Sequence, residues 1–149
     1  MKHIKPYPIL ESSEPEIRRD YYPDGKIEEE WWYLGGKMHR EDGPAKIRYY
    51  PDGIVEYERW YLNNEMHRVD GPAWIEYRED GSVEYENWFL NDVKITKAEW
   101  VEQALVLGAE ELVEISQEDP DPEVRRAAKR NPNYPDDLEG WAINLDDWT

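Results

Sequence analysis

The residues of this chain best placed to do chemistry are glutamates that come in pairs: Glu28 and Glu30, Glu56 and Glu58, Glu84 and Glu86. On a β-strand, residues i and i+2 share a face and lie about 6.6–6.8 Å apart. That falls within the roughly 6.5–9.5 Å between the two carboxyls of an inverting glycosidase. Acid–base chemistry of that kind also needs two carboxyls in unlike surroundings, and these pairs recur in like settings. No Gly-rich phosphate loop, Ser–His–Asp arrangement or metal motif accompanies them. There is no cysteine, which excludes thiol nucleophiles, thiolate metal sites and disulfides. The sequence reads as non-enzymatic, with no catalytic, cofactor-binding or metal-ligating residue.

His39 and His67 invite a metal reading, because each sits in the same Met-His-Arg triplet. Corresponding residues one hairpin apart are two strand spacings apart, roughly 9.6 Å. Zinc–nitrogen bonds of about 2.0–2.1 Å need ligands much closer together. Each His-Arg pair is therefore expected to hydrogen-bond its own Asp-Gly-Pro turn.

The elements that carry these residues come from an internal repeat of 28 residues. Pro23-Asp24-Gly25, Pro51-Asp52-Gly53 and Glu79-Asp80-Gly81 recur at that interval, as do Trp32, Trp60 and Trp88. Asp42-Gly43-Pro44-Ala45 returns as Asp70-Gly71-Pro72-Ala73. Pro presets φ for a turn and Gly accepts φ > 0 after it, so each Pro-Asp-Gly closes a three-residue hairpin loop. The flanks are rich in β-formers. Gly35-Gly36, Asn63-Asn64 and Asn91-Asp92 mark the next turn. The expected fold is α+β: an antiparallel β-meander of about three stacked hairpins, then a small helical C-terminal part.

The run Trp60-Tyr-Leu-Asn-Asn-Glu-Met-His-Arg-x-Asp-Gly-Pro-Ala73 resembles the MORN-type repeat, in the variant that carries His-Arg-x-Asp-Gly-Pro-Ala. The resemblance covers about residues 17–95. It implies an elongated sheet used as a scaffold or for binding other proteins, and variants of this kind occur in phage, giant-virus and bacterial proteins. It carries over no catalytic residue.

Residues 96–149 read as a helical cap on the sheet. Thr96 and Glu99 have the capping-box spacing, and Trp100, Val101, Ala104 and Leu105 follow at helical intervals. Gly108 is expected to end this helix. A second helix is expected over Ala109 to Gln117, with Leu112, Val113 and Ile115 inward. A third, over Glu123 to Arg130, opens on Asp121-Pro122. The stretch Asp119 to Pro135 resembles one unit of the leucine-rich-variant repeat, an α-solenoid element. Residues 1–16 are expected to form an N-terminal arm or an edge strand.

Strand alternation then assigns faces. Glu28, Glu30, Trp32 and Leu34 share one parity, as do their counterparts 28 and 56 residues on. The glutamates should stand in two wet columns, and Ile27, Val55 and Val83 with Tyr33, Tyr61 and Phe89 should form the core face. Turn register places Arg48 opposite Glu56, Lys46 opposite Glu58, Glu76 opposite Glu84, and Asp20 opposite Glu28. The last two oppose like charges, which costs stability and argues for another use of the acidic rows.

Eighteen basic residues against 35 acidic ones leave a net charge of −17. Nucleic acid and anionic lipid are repelled, so neither direct nucleic-acid binding nor membrane binding is expected. The complement is a basic protein surface, for instance that of a nucleic-acid-binding enzyme that the chain would occlude by charge mimicry, as phage inhibitors do. The expected docking residues are Glu28, Glu30, Glu56, Glu58, Glu84, Glu86, Glu76 and Asp20. A carbohydrate-binding module using the eight Trp and eleven Tyr, or a structural scaffold, are the alternatives. Without a leader-like N-terminus or an apolar run of about 18 residues, a cytoplasmic location and no cofactor are expected.

Overall fold

The computed structural model describes residues 14–104 and 106–136. Over these residues the chain is α+β, with antiparallel strands followed by three helices. It divides into two compact units: residues up to Arg68 with Pro72–Lys94, and Val69–Gly71 with the chain from Ile95 onward.

The strands are β1 (Glu16–Tyr21), β2 (Ile27–Leu34), β3 (Lys37–Met38), β4 (Lys46–Tyr49), β5 (Val55–Arg59), β6 (Tyr61–Leu62), β7 (Glu65–Met66), β8 (Trp74–Tyr77), β9 (Val83–Leu90) and β10 (Val93–Ile95). Eight of them form one sheet, in the order β1-β2-β4-β5-β8-β9-β10, with β3 added to β2; β6 and β7 pair separately. Of the expected N-terminal arm, only residues 14–16 are described, and Glu16 already belongs to β1.

The Pro-Asp-Gly loops form as their residues dictate. The Gly25 N–H donates to the Tyr22 carbonyl (2.9 Å) and the Tyr22 N–H to the Lys26 carbonyl (2.8 Å), with Gly25 at φ 88°. The Asp24 side chain accepts from the Lys26 N–H at 3.1 Å, which holds the turn. Tyr50–Ile54 and Arg78–Ser82 repeat these bonds.

One pair beyond each loop, the register departs from expectation. Tyr21 faces Ile27, but Asp20 faces Glu29; Tyr49 faces Val55, but Arg48 faces Tyr57; Tyr77 faces Val83, but Glu76 faces Tyr85. Each hairpin thus holds a β-bulge whose extra residue is Glu28, Glu56 or Glu84. The expected one-to-one register fails: Asp20 pairs with Glu29, Arg48 with Tyr57, Lys46 with Arg59 and Glu76 with Tyr85, although Arg48 still forms its expected ion pair with Glu56 at 2.9 Å. A bulge sets two residues against one and inverts the alternation beyond it. Ile27 therefore shares a face with Glu30 and Trp32, while Glu28 and Glu29 lean together to the other. The buried core of the sheet is Ala45, Ile47, Ala73 and Ile75, and Ile47 and Ile75 stand opposite Glu30 and Glu58.

Successive hairpins are tied by side chains at fixed offsets. The Tyr22 hydroxyl donates to the Tyr49 carbonyl (2.7 Å) and the Tyr50 hydroxyl to the Tyr77 carbonyl (2.9 Å). The tight turns Asn63-Asn64 and Asn91-Asp92 have φ of 49–68°, the left-handed conformation Asn and Asp tolerate best after Gly. The side chains have a second use there. Asn64 Oδ1 accepts from the Met38 N–H at 2.7 Å, and Asp92 Oδ1 from the Met66 N–H at 2.6 Å.

In the second unit, α1 (Lys97–Gln103) opens on the Thr96–Glu99 capping box, as the spacing predicts. It closes at Ala104 rather than Gly108. Gly108 instead precedes α2 (Ala109–Glu118), where its N–H donates to the Glu111 carboxylate. Asp121 caps α3 (Pro122–Arg130), accepting from the Glu123 N–H at 2.8 Å. Leu112, Val101 and Val124 are fully buried, worth about 1.5–3 kcal/mol each. Ile115 and Val113 are half-buried, and Ser116 takes the inner position instead. The buried Asn131 amide donates to the Val101 and Ala104 carbonyls (2.7 and 3.1 Å), satisfying the open end of α1. Of the expected helical cap over residues 96–149, Leu105 and residues 137–149 lie outside the described residues.

Candidate functional site

The bulges decide what the expected docking residues can do. Arg48, opposite both Glu29 and the Glu56–Tyr57 bulge, reaches Glu28 and Glu56 at 2.9 Å each. The first two members of the expected outer column are therefore bridged by one guanidinium. Glu30 is 7% exposed, held by Arg19 at 2.6 Å and by the Trp32 indole N–H at 2.6 Å. Glu58 accepts from the Tyr77 hydroxyl (3.2 Å), and Glu76 from the Trp74 indole N–H (3.1 Å). The expectation of two wet glutamate columns on one face is thus corrected: Glu28 and Glu30 lie on opposite faces, and Glu30 is buried.

The third hairpin differs. Glu84 is exposed, with Arg78 3.9 Å away, and Glu86 is exposed too. Glu79 and Asp80 at the turn are exposed. Five acids (Glu76, Glu79, Asp80, Glu84 and Glu86) stand here against Arg78 in the same hairpin and Lys94 of β10, which lies 6.0 Å from the Tyr85 ring centre. The second hairpin, over residues 44–62, balances Asp52, Glu56 and Glu58 with Lys46, Arg48 and Arg59. Asp20, on β1, is exposed and far from this group in strand order.

A buried polar cluster on the Arg48 face went unread in the sequence. The Tyr57 hydroxyl donates to the Glu29 carboxylate, and Lys46 Nζ lies 2.9 Å from the same oxygen. Burial alone would raise the Glu29 pKa, but the Tyr57 and Lys46 bonds outweigh it and hold the carboxyl below its ordinary range. Burial, then the Glu29 carboxylate, push the Tyr57 phenol well above its ordinary value. Beside it, Trp31, Lys46, Arg59 and Trp74 face one another across four strands. The Arg59 guanidinium lies 4.4 Å from the Trp74 ring centre. An assumed regular register hid this row; a bulge position at Glu56 would have lined it up.

The His-Arg motif proves structural, with one correction. Arg40 bonds its own turn, through Asp42 (2.9 Å) and the Pro44 carbonyl (3.4 Å), while its guanidinium lies 3.9 Å from the Trp32 ring centre. A Cβ at Gly43 would come within 2.8 Å of that guanidinium, so a larger residue there would require the Arg40 side chain to shift. His39 does not bond its own turn. Its Nδ1 accepts from the Asn63 N–H of the following hairpin at 3.1 Å, and His67 does the same with Asn91. The reason is reach: the tight turn of the next hairpin lies beside the imidazole.

Among the described residues, no group of three or more His, Asp or Glu is arranged to hold a metal, and no helix is long and apolar enough to cross a membrane. No family model matches the chain, and neither the curated proteins nor the solved structures contain a match.

Proposed function

We propose that the chain is a non-enzymatic, anionic protein-interaction module of the cytoplasm, built as a MORN-like β-meander of three stacked hairpins. Its partner is a basic protein surface, of the kind that nucleic-acid-binding enzymes present, which it occludes by charge mimicry. One observation carries the reading. Arginines and lysines pair with Glu28, Glu29, Glu30 and Glu56 of the first two hairpins, whereas the third leaves Glu79, Asp80, Glu84 and Glu86 exposed, with Arg78 3.9 Å from Glu84 and Lys94 over the Tyr85 ring. The docking surface thereby contracts from the whole sheet to its last hairpin. A net charge of −17 would steer a basic partner toward it.

The carbohydrate reading loses support from the same geometry. Guanidinium groups lie over the rings of Trp32, Trp60 and Trp74 at 3.9, 3.8 and 4.4 Å, covering faces that a sugar would stack on.

The test is a pull-down from lysate at low and high salt with the wild type and a triple variant, Glu79→Gln, Glu84→Gln and Glu86→Gln. The reading expects a basic nucleic-acid-binding protein that is released by salt and retained about tenfold less by the variant, a loss of about 1.4 kcal/mol. A partner held equally by both proteins would refute it.

A further inference from the structure

We infer that the outer edge of β9, at Tyr85–Asn87, accepts an extended basic segment of a partner protein as an added antiparallel strand. This rests on the anionic-module reading and specifies how the partner docks.

The starting point is a missing neighbour. Glu29, Glu30 and Trp31 of β2 pair with Arg48, Ile47 and Lys46 of β4. Twenty-eight residues on, Tyr57, Glu58 and Arg59 of β5 pair with Glu76, Ile75 and Trp74 of β8. The third set is Tyr85, Glu86 and Asn87. Among the described residues these have β8 on one side, and on the other the sheet continues only with β10, whose Lys94 reaches the Tyr85 ring at 6.0 Å. Its counterpart β3 meets β2 at Tyr33 and Leu34 alone. A strand that follows a two-residue turn after Leu90 and ends at Ile95 reaches no further back than residue 88.

Exposure agrees. Val55, Tyr57 and Glu58 are half-buried, whereas Val83 and Tyr85 are 46% and 42% exposed and Glu86 is exposed. Asn87 is the exception, 5% exposed where its counterparts Trp31 and Arg59 are half-buried, so the accessible part of the edge is Val83–Glu86. The backbone is also poised. The Trp32 and Trp60 N–H groups donate to Ala45 and Ala73 carbonyls at 2.8 Å. Antiparallel ladders alternate, so Glu30 and Glu58 exchange bonds with Ile47 and Ile75. By the same alternation Glu86 turns its N–H and C=O to the open side, a template for strand addition. The Glu84 bulge is no barrier, since Glu28 and Glu56 form the same bulge in strands paired on both sides.

The chain's own β4 defines the chemistry of the occupant. From its place beside β2, Arg48 reaches Glu28 at 2.9 Å. A strand laid on β9 in that register brings a basic side chain to Glu84 and an aliphatic one opposite Glu86. A second copy of this chain fits poorly. Its β1 would bring Asp20 to the arginine position beside Glu84, and each copy carries a charge of −17.

The test titrates a synthetic peptide with the sequence of residues 44–50 (Pro-Ala-Lys-Ile-Arg-Tyr-Tyr) into the 15N-labelled full chain. Amide shifts confined to Val83–Asn87, with slowed solvent exchange at Glu86, are expected. N-methylation of the peptide isoleucine, which removes a backbone donor but no charge, should weaken binding at least tenfold. Absence of shifts at Val83–Asn87 overturns the inference. So does equal binding of the N-methylated peptide or of a scrambled one of the same charge; that result would retain the anionic reading while removing strand addition. Failure of the anionic reading is instead registered by the pull-down with the Gln variants.

Discussion

The Tyr57 hydroxyl donates to the carboxylate of Glu29, the residue 28 positions before it, and so joins one hairpin to the next through the Arg48 face of the sheet. Lys46, between them in strand order, shares the same carboxylate oxygen. Removing Lys46 would leave a largely buried charge with one partner. Lys46→Met should lower stability by about 1–3 kcal/mol, read as a lower urea midpoint with an unchanged slope. The Glu29 carboxyl is held below its ordinary range. Its contribution is therefore present above the ordinary glutamate pKa and lost as pH falls through the lower folded value. Glu29→Gln should flatten that acid limb of the stability profile.

The alkaline limb should have a different origin. Burial first, and the Glu58 carboxylate second, push the Tyr77 phenol from 10.0 to about 12. A raised phenol is stabilising below the unfolded pKa and ceases to be as pH rises through the folded one. Stability should therefore fall between pH 10 and about 12. Tyr77→Phe should soften the fall. Phenolate absorbance should find Tyr57 and Tyr77 among the late-titrating tyrosines, with Tyr57 the later.

The histidines make a sharper spectroscopic prediction. Nδ1 of His39 and of His67 accepts a backbone N–H, so the proton of each neutral ring must sit on Nε2. Nitrogen NMR should find both in the Nε2–H tautomer. His39→Ala should cost about 1 kcal/mol, the worth of one such bond, and should raise amide exchange at Asn63 first.

Much of this was legible in the chain, and the exceptions share a cause. Turn chemistry is local, so Pro23-Asp24-Gly25 and the Thr96–Glu99 box form as their residues direct. Sheet content and the order of strands and helices followed from periodicity. The faces of Glu28 and Glu30 did not, because a bulge is chosen by twist and packing between strands, and Glu28 has no side-chain type that marks it. One unread residue per hairpin was enough to move Glu30 from water to the interior and to bring Arg48 between Glu28 and Glu56. The same limit applies to His39, whose partner Asn63 lies 24 residues away.

Deletion separates the bulged register from a regular one. Tyr49 faces Val55 and Arg48 faces Tyr57, with Glu56 left over. Removing Glu56 lets Val55 and Tyr57 become neighbours in a regular ladder, each keeping its partner and its face. The deletion variant should fold, retain the Tyr57–Glu29 bond, and lose about 1–2 kcal/mol for the Arg48 ion pair and local repacking. Glu56→Gln, which keeps the bulge, should cost less than about 1 kcal/mol. Deleting Glu58 is the control. There the residue has a partner, Ile47, so its loss turns Arg59 and Trp60 to the wrong faces and should abolish cooperative unfolding. In a regular ladder without bulges the Glu56 deletion would be as damaging as the Glu58 deletion. Thermal melts of the two variants side by side therefore decide whether Glu56 is the extra residue.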